Sequence, residues 1–333
     1  MTVQEQQERG TVVKREKPLV TVVITTYNQE KYIAKALESV LAQKTDFEFE
    51  IYVSEDCGTD GTRAILLEYA ERYPELIRLN LRNENVGISR NWYEALCAAR
   101  GDWVCTLEGD DWWLDDCKLQ KQMDFLRAHP DYAAVSHTLM QIDDAGNTYG
   151  CEPHDPRILG KDATMELFLQ GVTYSCTACM VRNIFRDADQ LQYDYVTANR
   201  SIADFALCML YLRAGRVFVM DEPMSAYRVA GTDVQHQNYN ATHGAVQKYK
   251  DFLSVVDASE KYFGCSEYDF DACRLAGTFF PYCDRVKDGG LAEFRAVMRA
   301  HLPVSARRRW RGYFLRRCTV LALARVKRGL KHG

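Results

Sequence analysis

Three carboxylates, Glu108, Asp110 and Asp111, crowd the end of the apolar segment Trp103-Val-Cys-Thr-Leu-Glu-Gly-Asp-Asp-Trp-Trp113. Packed so closely they repel one another, and each resists ionisation unless a cation stands near. Mg2+ or Mn2+ takes carboxylate oxygens together with substrate phosphates, so the spacing suits divalent-metal work on a phosphorylated substrate. Asp and Gly are also ordinary turn residues, and a solvated acidic turn is the alternative that the rest of the chain has to displace.

Polar groups end three other apolar runs: Thr25-Thr26-Tyr27-Asn28, Glu55-Asp56 and Asn85-Val86-Gly87. Asp56 is placed to accept a hydrogen bond from a nucleobase N–H, and a metal at Asp111 to neutralise a diphosphate. No G-x-G-x-x-G follows the first run, which argues against a dinucleotide oxidoreductase. No G-x-x-x-x-G-K-[ST] occurs either, which argues against a P-loop NTPase.

The elements that must position these groups alternate. Pro18 to Thr25 reads as a buried β-branched strand, followed by a helix from about Glu30 to Gln43 with Ile33, Leu37, Val40 and Leu41 on one face. Phe49 to Ser54, Ile77 to Leu81 and Trp103 to Leu107 read as further strands, each followed by a helix: Thr62 to Tyr73, Ser89 to Ala99 and about Asp116 to His129. Such alternation predicts an α/β fold with a mainly parallel sheet and helices on both faces. Ligands of these sheets sit beyond the carboxyl ends of the strands, where the polar groups fall.

Beyond Tyr132 the rhythm breaks. Strands are expected at Ala133 to Leu139, Thr177 to Arg182 and Arg216 to Met220, with a helix from about Ser201 to Arg213. The stretch up to Gly160 is rich in Gly, Asp and Pro and is expected to be irregular, and residues from about His236 read as helices.

A hydrophobic content of 47% with 26% charged residues is that of a soluble globular chain, long enough at 333 residues for one large domain with an appendage. Twelve cysteines are scattered without a secretory leader, which fits a reduced cytoplasm. Cys176 and Cys179 form a lone C-x-x-C in an apolar stretch and read as buried small hydrophobes rather than a zinc site. The formal charge of −4 hides an asymmetry: from Ser305 onward there are ten Lys or Arg and no acid, so the tail carries +10 and the remainder −14. The tail interleaves Trp310, Tyr313, Phe314, Leu315 and Leu321 with these cations, and no apolar run in it approaches the ~20 residues of a membrane span. Its expected partner is an anionic membrane surface, with nucleic acid or docking onto the protein body as the alternatives weighed; no nucleic acid partner is expected.

Pro18-Leu-Val-Thr-Val-Val-Ile-Thr-Thr-Tyr-Asn-Gln-Glu, Ser54-Glu-Asp-Cys-Gly-Thr-Asp-Gly-Thr62, Asn85-Val-Gly, Arg90-Asn91 and Glu108-Gly-Asp-Asp-Trp-Trp, in that order, resemble the successive signatures of the family 2 glycosyltransferases, which have the GT-A fold. The resemblance covers about residues 18 to 230, and within the family it points to bacterial enzymes of capsule, O-antigen or lipopolysaccharide assembly. It implies a nucleotide-sugar donor, a lipid-linked or glycan acceptor, Mg2+ or Mn2+ as cofactor and inversion at the anomeric carbon; with the basic tail and the cysteine pattern, the expected location is the cytoplasm, peripherally on the inner face of the cell membrane.

Carried across residue by residue, it places Thr26, Tyr27 and Glu30 in the nucleotide pocket, Asp56 at the base, Asp110 near the ribose or sugar, and Asp111 on the metal. Glu108 stands where the metal motif usually opens with Asp, keeping the charge on a longer arm. Arg90 supports the nucleotide or sugar, or is simply a helix-start arginine. Asp204, in Ser201-Ile-Ala-Asp-Phe-Ala-Leu207, matches the acidic residue that serves the family as general base; a helix-opening acid favoured by the dipole is its plain alternative. Trp112 and Trp113 are candidates to wall the sugar site, with core packing favoured for Trp113. After Tyr227-Arg228 the family's His is replaced by Ala230, leaving His236 or no group to take its part.

The expected organisation is a polar arm (1–17), a GT-A domain (18–230) with a nucleotide-binding half (18–115) and an acceptor half (116–230), a helical extension (231–304) and a basic amphipathic tail (305–333). Two rival functions are a sugar nucleotidyltransferase, which lacks its usual Gly-rich basic first loop here, and a catalytically silent nucleotide-sugar or glycan-binding scaffold.

Overall fold

The computed structural model describes residues 18–152, 155–229, 243–264, 268–277 and 291–302, together with 304, 307–310 and 312. The N-terminal arm, Ala230, His236 and most of the basic tail lie outside the described residues. Within the described residues the chain divides into two compact units, one formed by residues up to 165 and from 172 to 229, the other by 166–171 and the residues from 243 onward.

The first unit is built from strand-to-helix steps. β1 (Val20–Thr26) leads to α1 (Ile33–Leu41), β2 (Phe49–Glu55) to α2 (Thr62–Arg72), β3 (Ile77–Leu81) to α3 (Ile88–Cys97), and β4 (Trp103–Glu108) to the acidic turn. The four strands pair in the order β3-β2-β1-β4, all parallel. Every residue of β1 but Thr25 is buried, as a strand covered on both faces requires. Val20, Val22 and Ile24 share one core with Ile51 and Val53 of β2, Cys105 and Leu107 of β4, Ile33, Leu37 and Val40 of α1, and Leu66 of α2. Val23 and Val104 are equally buried but turn to the opposite side, where α3 packs on β1 and β2. The register levels the strand ends: Thr25 lies opposite Ser54 on one side and Glu108 on the other, and Thr26 opposite Glu55.

The chain continues through β5 (Trp112–Trp113), α4 (Lys118–Ala128), β6 (Tyr132–Ile142), β7 (Thr148–Glu152), β8 (Lys161–Ala163), α5 (Met165–Leu169), β9 (Met180–Arg182), α6 (Gln190–Val196), α7 (Asp204–Ala214) and β10 (Arg216–Arg228). β9 enters beside β4 and runs antiparallel to both β4 and β6; β10 pairs parallel with β6, and β5 closes the order antiparallel to β10. The mainly parallel α/β architecture is thus as the sequence pattern leads one to expect.

Three segments differ from the sequence expectation, the first being the strand expected at Thr177 to Arg182, of which only Met180–Arg182 forms one while the residues before it make a turn. The stretch after Leu139 up to Gly160, expected to be irregular, holds β7, whose residues are almost all exposed and so carry no apolar alternation. β10, expected to stop at Met220, runs on to Arg228 across Asp221, Glu222 and Pro223; register shifts around Pro223 absorb the residue that cannot donate to the ladder.

In the second unit, α8 (Ala245–Phe263), α9 (Phe270–Ala276) and α10 (Leu291–His301) agree with the helices expected there. Val246, Tyr249, Leu253, Leu275, Phe294 and Met298 form its core. Among the described residues no helix is long and apolar enough to cross a membrane.

Candidate active site

The acidic turn is an extension of the β1–β4 pairing. Gly109 N donates to Thr25 O at 2.9 Å, and Asp111 N closes the turn on Glu108 O at 3.0 Å. Gly109 has no room for a side chain: a Cβ would lie 2.5 Å from Gln29 Oε1 and 2.9 Å from Thr26 Oγ1. Asp110 points inward, where Oδ1 accepts from Gln29 Nε2 at 2.9 Å and Oδ2 from Arg228 Nη2 at 2.8 Å and Nε at 3.1 Å. Asp110 and Arg228 are both buried, and the Arg228 guanidinium also stacks over the Tyr32 ring at 4.3 Å. The backbone N–H of Arg228 reaches Asp111 Oδ1 at 2.8 Å. One arginine at the end of β10 therefore holds the turn twice.

Its charge is shared between Asp110 and, at 3.7 Å, Asp144, so although it lowers Glu108 and Asp111 somewhat it leaves them without a full counter-charge. Burial pushes the Glu108 carboxyl well above its usual range, and the neighbouring Asp111, Asp110 and Asp204 push it further. Burial likewise drives Asp111 well up, with Asp110 adding to the shift and the Arg228 N–H and charge opposing it. Among the described residues no hydrogen bond reaches the Glu108 carboxylate, and the hydroxyl of Thr26, also buried, is without a partner. Two under-compensated carboxylates and a buried hydroxyl without a partner are oxygen donors of the kind a hard divalent cation takes, so the residues present fit Mg2+ or Mn2+.

Asp204 is the first residue of α7, exposed, and accepts from the Cys176 thiol at 3.6 Å on Oδ1. Although the residue reaches solvent, the protein atoms packed around its carboxyl raise it above the usual range, against the thiol bond, and its charge in turn acts on Glu108. The structure therefore gathers Glu108, Asp110, Asp111 and Asp204 in one electrostatic site, with Thr26 beside the turn at Gly109.

The nucleotide-side residues are arranged differently. Tyr27 is exposed, and Glu30 accepts from Gly61 N at 2.6 Å, tying its loop to the one before α2. Asp56, nearly buried, accepts from Val86 N at 2.8 Å and Gly87 N at 2.9 Å; burial raises its carboxyl in spite of these two bonds. Arg90 is exposed and pairs with Glu94 one helical turn on at 2.7 Å, the geometry of a helix-surface ion pair. Trp112 is half-buried and has the Lys35 ammonium 3.2 Å over its ring, so one of its faces is already covered. Trp113 is buried in the core, and so are Cys176 and Cys179.

Sequence reasoning did not pair Arg228 with the acidic turn, nor Gln29 with Asp110, nor the Cys176 thiol with Asp204. The only signal for the first was the Tyr227-Arg228 dipeptide, and for the other two there was none.

The model of the family described as glycosyl transferase family 2 matches residues 21–187. An uncharacterised protein of Mycobacterium tuberculosis (strain H37Rv) is 33% identical over 220 residues, 66% of this chain and 61% of that protein; the chain thus spans about three fifths of the length of that relative. TuaG of Bacillus subtilis, named as a glycosyltransferase of teichuronic acid biosynthesis, is 30% identical over 227 residues, 68% of this chain and 84% of TuaG. Among solved structures, S. aureus TarS in complex with UDP-GlcNAc superposes with a TM-score of 0.54 at 17% identity, over 88% of this chain and 79% of that one. The mannosyltransferase PcManGT of Pyrobaculum calidifontis, in complex with GDP-Man and Mn2+, superposes with a TM-score of 0.51 at 16% identity, over 96% of this chain and 86% of that one. At these identities the two likenesses concern the fold, the GT-A arrangement that the sequence resemblance implies.

Proposed function

The chain belongs to glycosyl transferase family 2, and from that premise we propose that it is a metal-dependent, inverting glycosyltransferase. It moves a sugar from a nucleotide-sugar donor to a lipid-linked glycan acceptor during assembly of a bacterial cell-surface polysaccharide. The observation that carries the reading is the meeting of an exposed carboxylate, Asp204 at the head of α7, with the under-compensated pair Glu108 and Asp111 beyond the parallel strands.

In this reading Asp111 and Glu108 hold Mg2+ or Mn2+, which when bound supplies positive charge to the donor diphosphate. Asp204 accepts the proton of the acceptor hydroxyl as its oxygen bonds to the anomeric carbon from the face opposite the diphosphate. The bond from that carbon to the diphosphate oxygen breaks, and nucleoside diphosphate leaves. A carboxyl raised by its surroundings is the better base for this step, because its affinity for the proton is closer to what transfer at neutral pH requires. Arg228 keeps Asp110 and Asp111 in place, and Asp56 and Glu30 shape the loops that receive the nucleotide.

The names of TuaG and of the Escherichia coli chondroitin synthase, 33% identical over 130 residues, support polysaccharide assembly as the setting. The +10 tail supports a place on the inner face of the cell membrane, where a lipid-linked acceptor would be concentrated. The test is a panel of nucleotide sugars with Mn2+ or Mg2+, scored for the released nucleotide. Release of nucleoside diphosphate from one donor supports the reading. Release of pyrophosphate marks a nucleotidyltransferase, and absence of binding to every donor marks a silent scaffold.

A further inference from the structure

The loop after β3 and the turn that leads into α7 are distant in sequence, yet one side chain joins them. Arg200 donates from Nη1 to Val86 O at 3.0 Å and from Nη2 to Asn85 O at 2.9 Å and Asn85 Oδ1 at 2.5 Å, while its own carbonyl accepts from Ser89 N at 3.2 Å. Gly87, at φ +91°, lies directly beneath it: a Cβ there would meet Arg200 Cγ at 2.5 Å. A glycine is needed both for that backbone angle and for the arginine to lie along the loop.

The same loop is gripped from its other side by Asp56. The carboxylate takes the Val86 and Gly87 N–H groups, and Asn85 Nδ2 donates to Asp56 O at 3.0 Å. On the α7 side, Asn199 Oδ1 accepts from Ser201 N at 2.8 Å and Ile202 N at 3.2 Å, folding the turn that starts at Arg200 and delivers Asp204. Hydrogen bonds thus run from Asp56 through residues 85–87 and Arg200 into that turn.

We propose that Arg200 is a latch, a positioning residue that couples occupancy of the nucleotide site at Asp56 to the placement of Asp204. This rests on the reading of Asp56 and Asp204 given above. A guanidinium fork on carbonyl oxygens makes charge-assisted bonds whose direction matters as much as their strength. Arg200 itself is exposed, so the latch can release without opening the core. A nucleotide seated beside Asp56 fixes residues 85–87, which holds Arg200 and with it the turn that presents Asp204. With the latch gone the donor still binds, but the base is no longer held in line with the acceptor hydroxyl, a loss of order 10- to 100-fold in kcat.

The test is hydrogen–deuterium exchange of the full chain with UDP and with GDP, each with Mn2+, for wild type, Arg200→Ala and Arg200→Lys, alongside kcat and KM for the donor. The wild type is expected to gain protection at 85–89 and at 199–207 when the nucleotide binds. Both variants are expected to keep the first gain, lose the second, and lose kcat with KM changed by less than about 3-fold. Arg200→Lys keeps the charge without the fork, so it reports on the latch even where the alanine variant folds poorly. Nucleotide-dependent protection at 199–207 that survives in the variants overturns the latch and leaves the donor reading standing, as does protection of the wild type at 85–89 alone. No nucleotide effect anywhere in the wild type overturns both.

Discussion

The two ends of the parallel strands β1 to β4 treat their carboxylates in opposite ways. Near the start of β2, Glu50 is almost wholly buried and accepts from Thr21 Oγ1 at 2.8 Å, Arg78 Nε at 2.9 Å and Arg100 Nε at 2.9 Å. Burial alone would raise it, but the bonds from Arg78, Arg100 and Thr21 bring it down to about 2. At the far end, Glu108 and Asp111 sit beside further acids, and the arginine that acts on both, Arg228, is divided between Asp110 and Asp144. A carboxylate that stabilises a fold is given its cations by the chain. One left without them at the carboxyl ends of the strands has its counter-charge supplied from outside, and that is how a ligand comes to be required.

The sharpest way to break this contrast is at the exposed acid of the crowded end. Asp204→Asn should lower kcat by about 10³-fold with donor KM within about 3-fold, measured as nucleoside diphosphate release. Equal loss in kcat and donor affinity would instead place Asp204 in the nucleotide site.

Next in size is the satisfied end. Glu50→Gln leaves two arginines facing a neutral group and should cost about 2 kcal/mol of stability in urea denaturation. Because the folded value of Glu50 lies below the ordinary 4.5, its contribution is present above 4.5 and is lost as pH falls towards about 2. The variant should therefore be no less stable than wild type at the acid limit.

The crowded end should behave with the opposite sign. Glu108 and Asp111 are raised in the folded state, so their contribution is complete below their ordinary values of 4.5 and 3.8 and is lost as pH rises through the raised ones. Glu108→Gln and Asp111→Asn should each raise the Tm of the metal-free protein at neutral pH, by about 1 kcal/mol in stability, and the gain should vanish in acid. The smallest effect is expected at Arg90→Ala, whose exposed pair with Glu94 should change stability by less than about 0.5 kcal/mol in the same denaturation assay.

The contrast also explains what could be read from the chain. β1 and β4 are legible because strands largely buried on both faces are written as nearly continuous apolar runs, and the edge strand β3, Ile77 to Leu81, falls on the residues expected because its apolar and polar residues alternate. β7 lies nearly all in solvent, and β5 is two residues long, so neither has a pattern to read. In the site, the crowding of Glu108, Asp110 and Asp111 and the place of Asp204 at the head of its helix are local features and were visible. The partition of charge among them was not, because Arg228 meets Asp110 across 118 residues of sequence, at the end of a strand that continues past a proline-bearing irregularity. Spacing reveals which acids are neighbours along the chain; only the fold decides which of them is given a cation.

The most direct test of that account is the thermal stability of the full chain at neutral pH with Mn2+ and UDP or GDP, wild type against Asp111→Asn. The account predicts that the metal and nucleotide together raise the wild-type Tm, while the variant starts higher without ligand and gains little. An equal rise in both proteins, or a variant that starts lower and still responds, would contradict it.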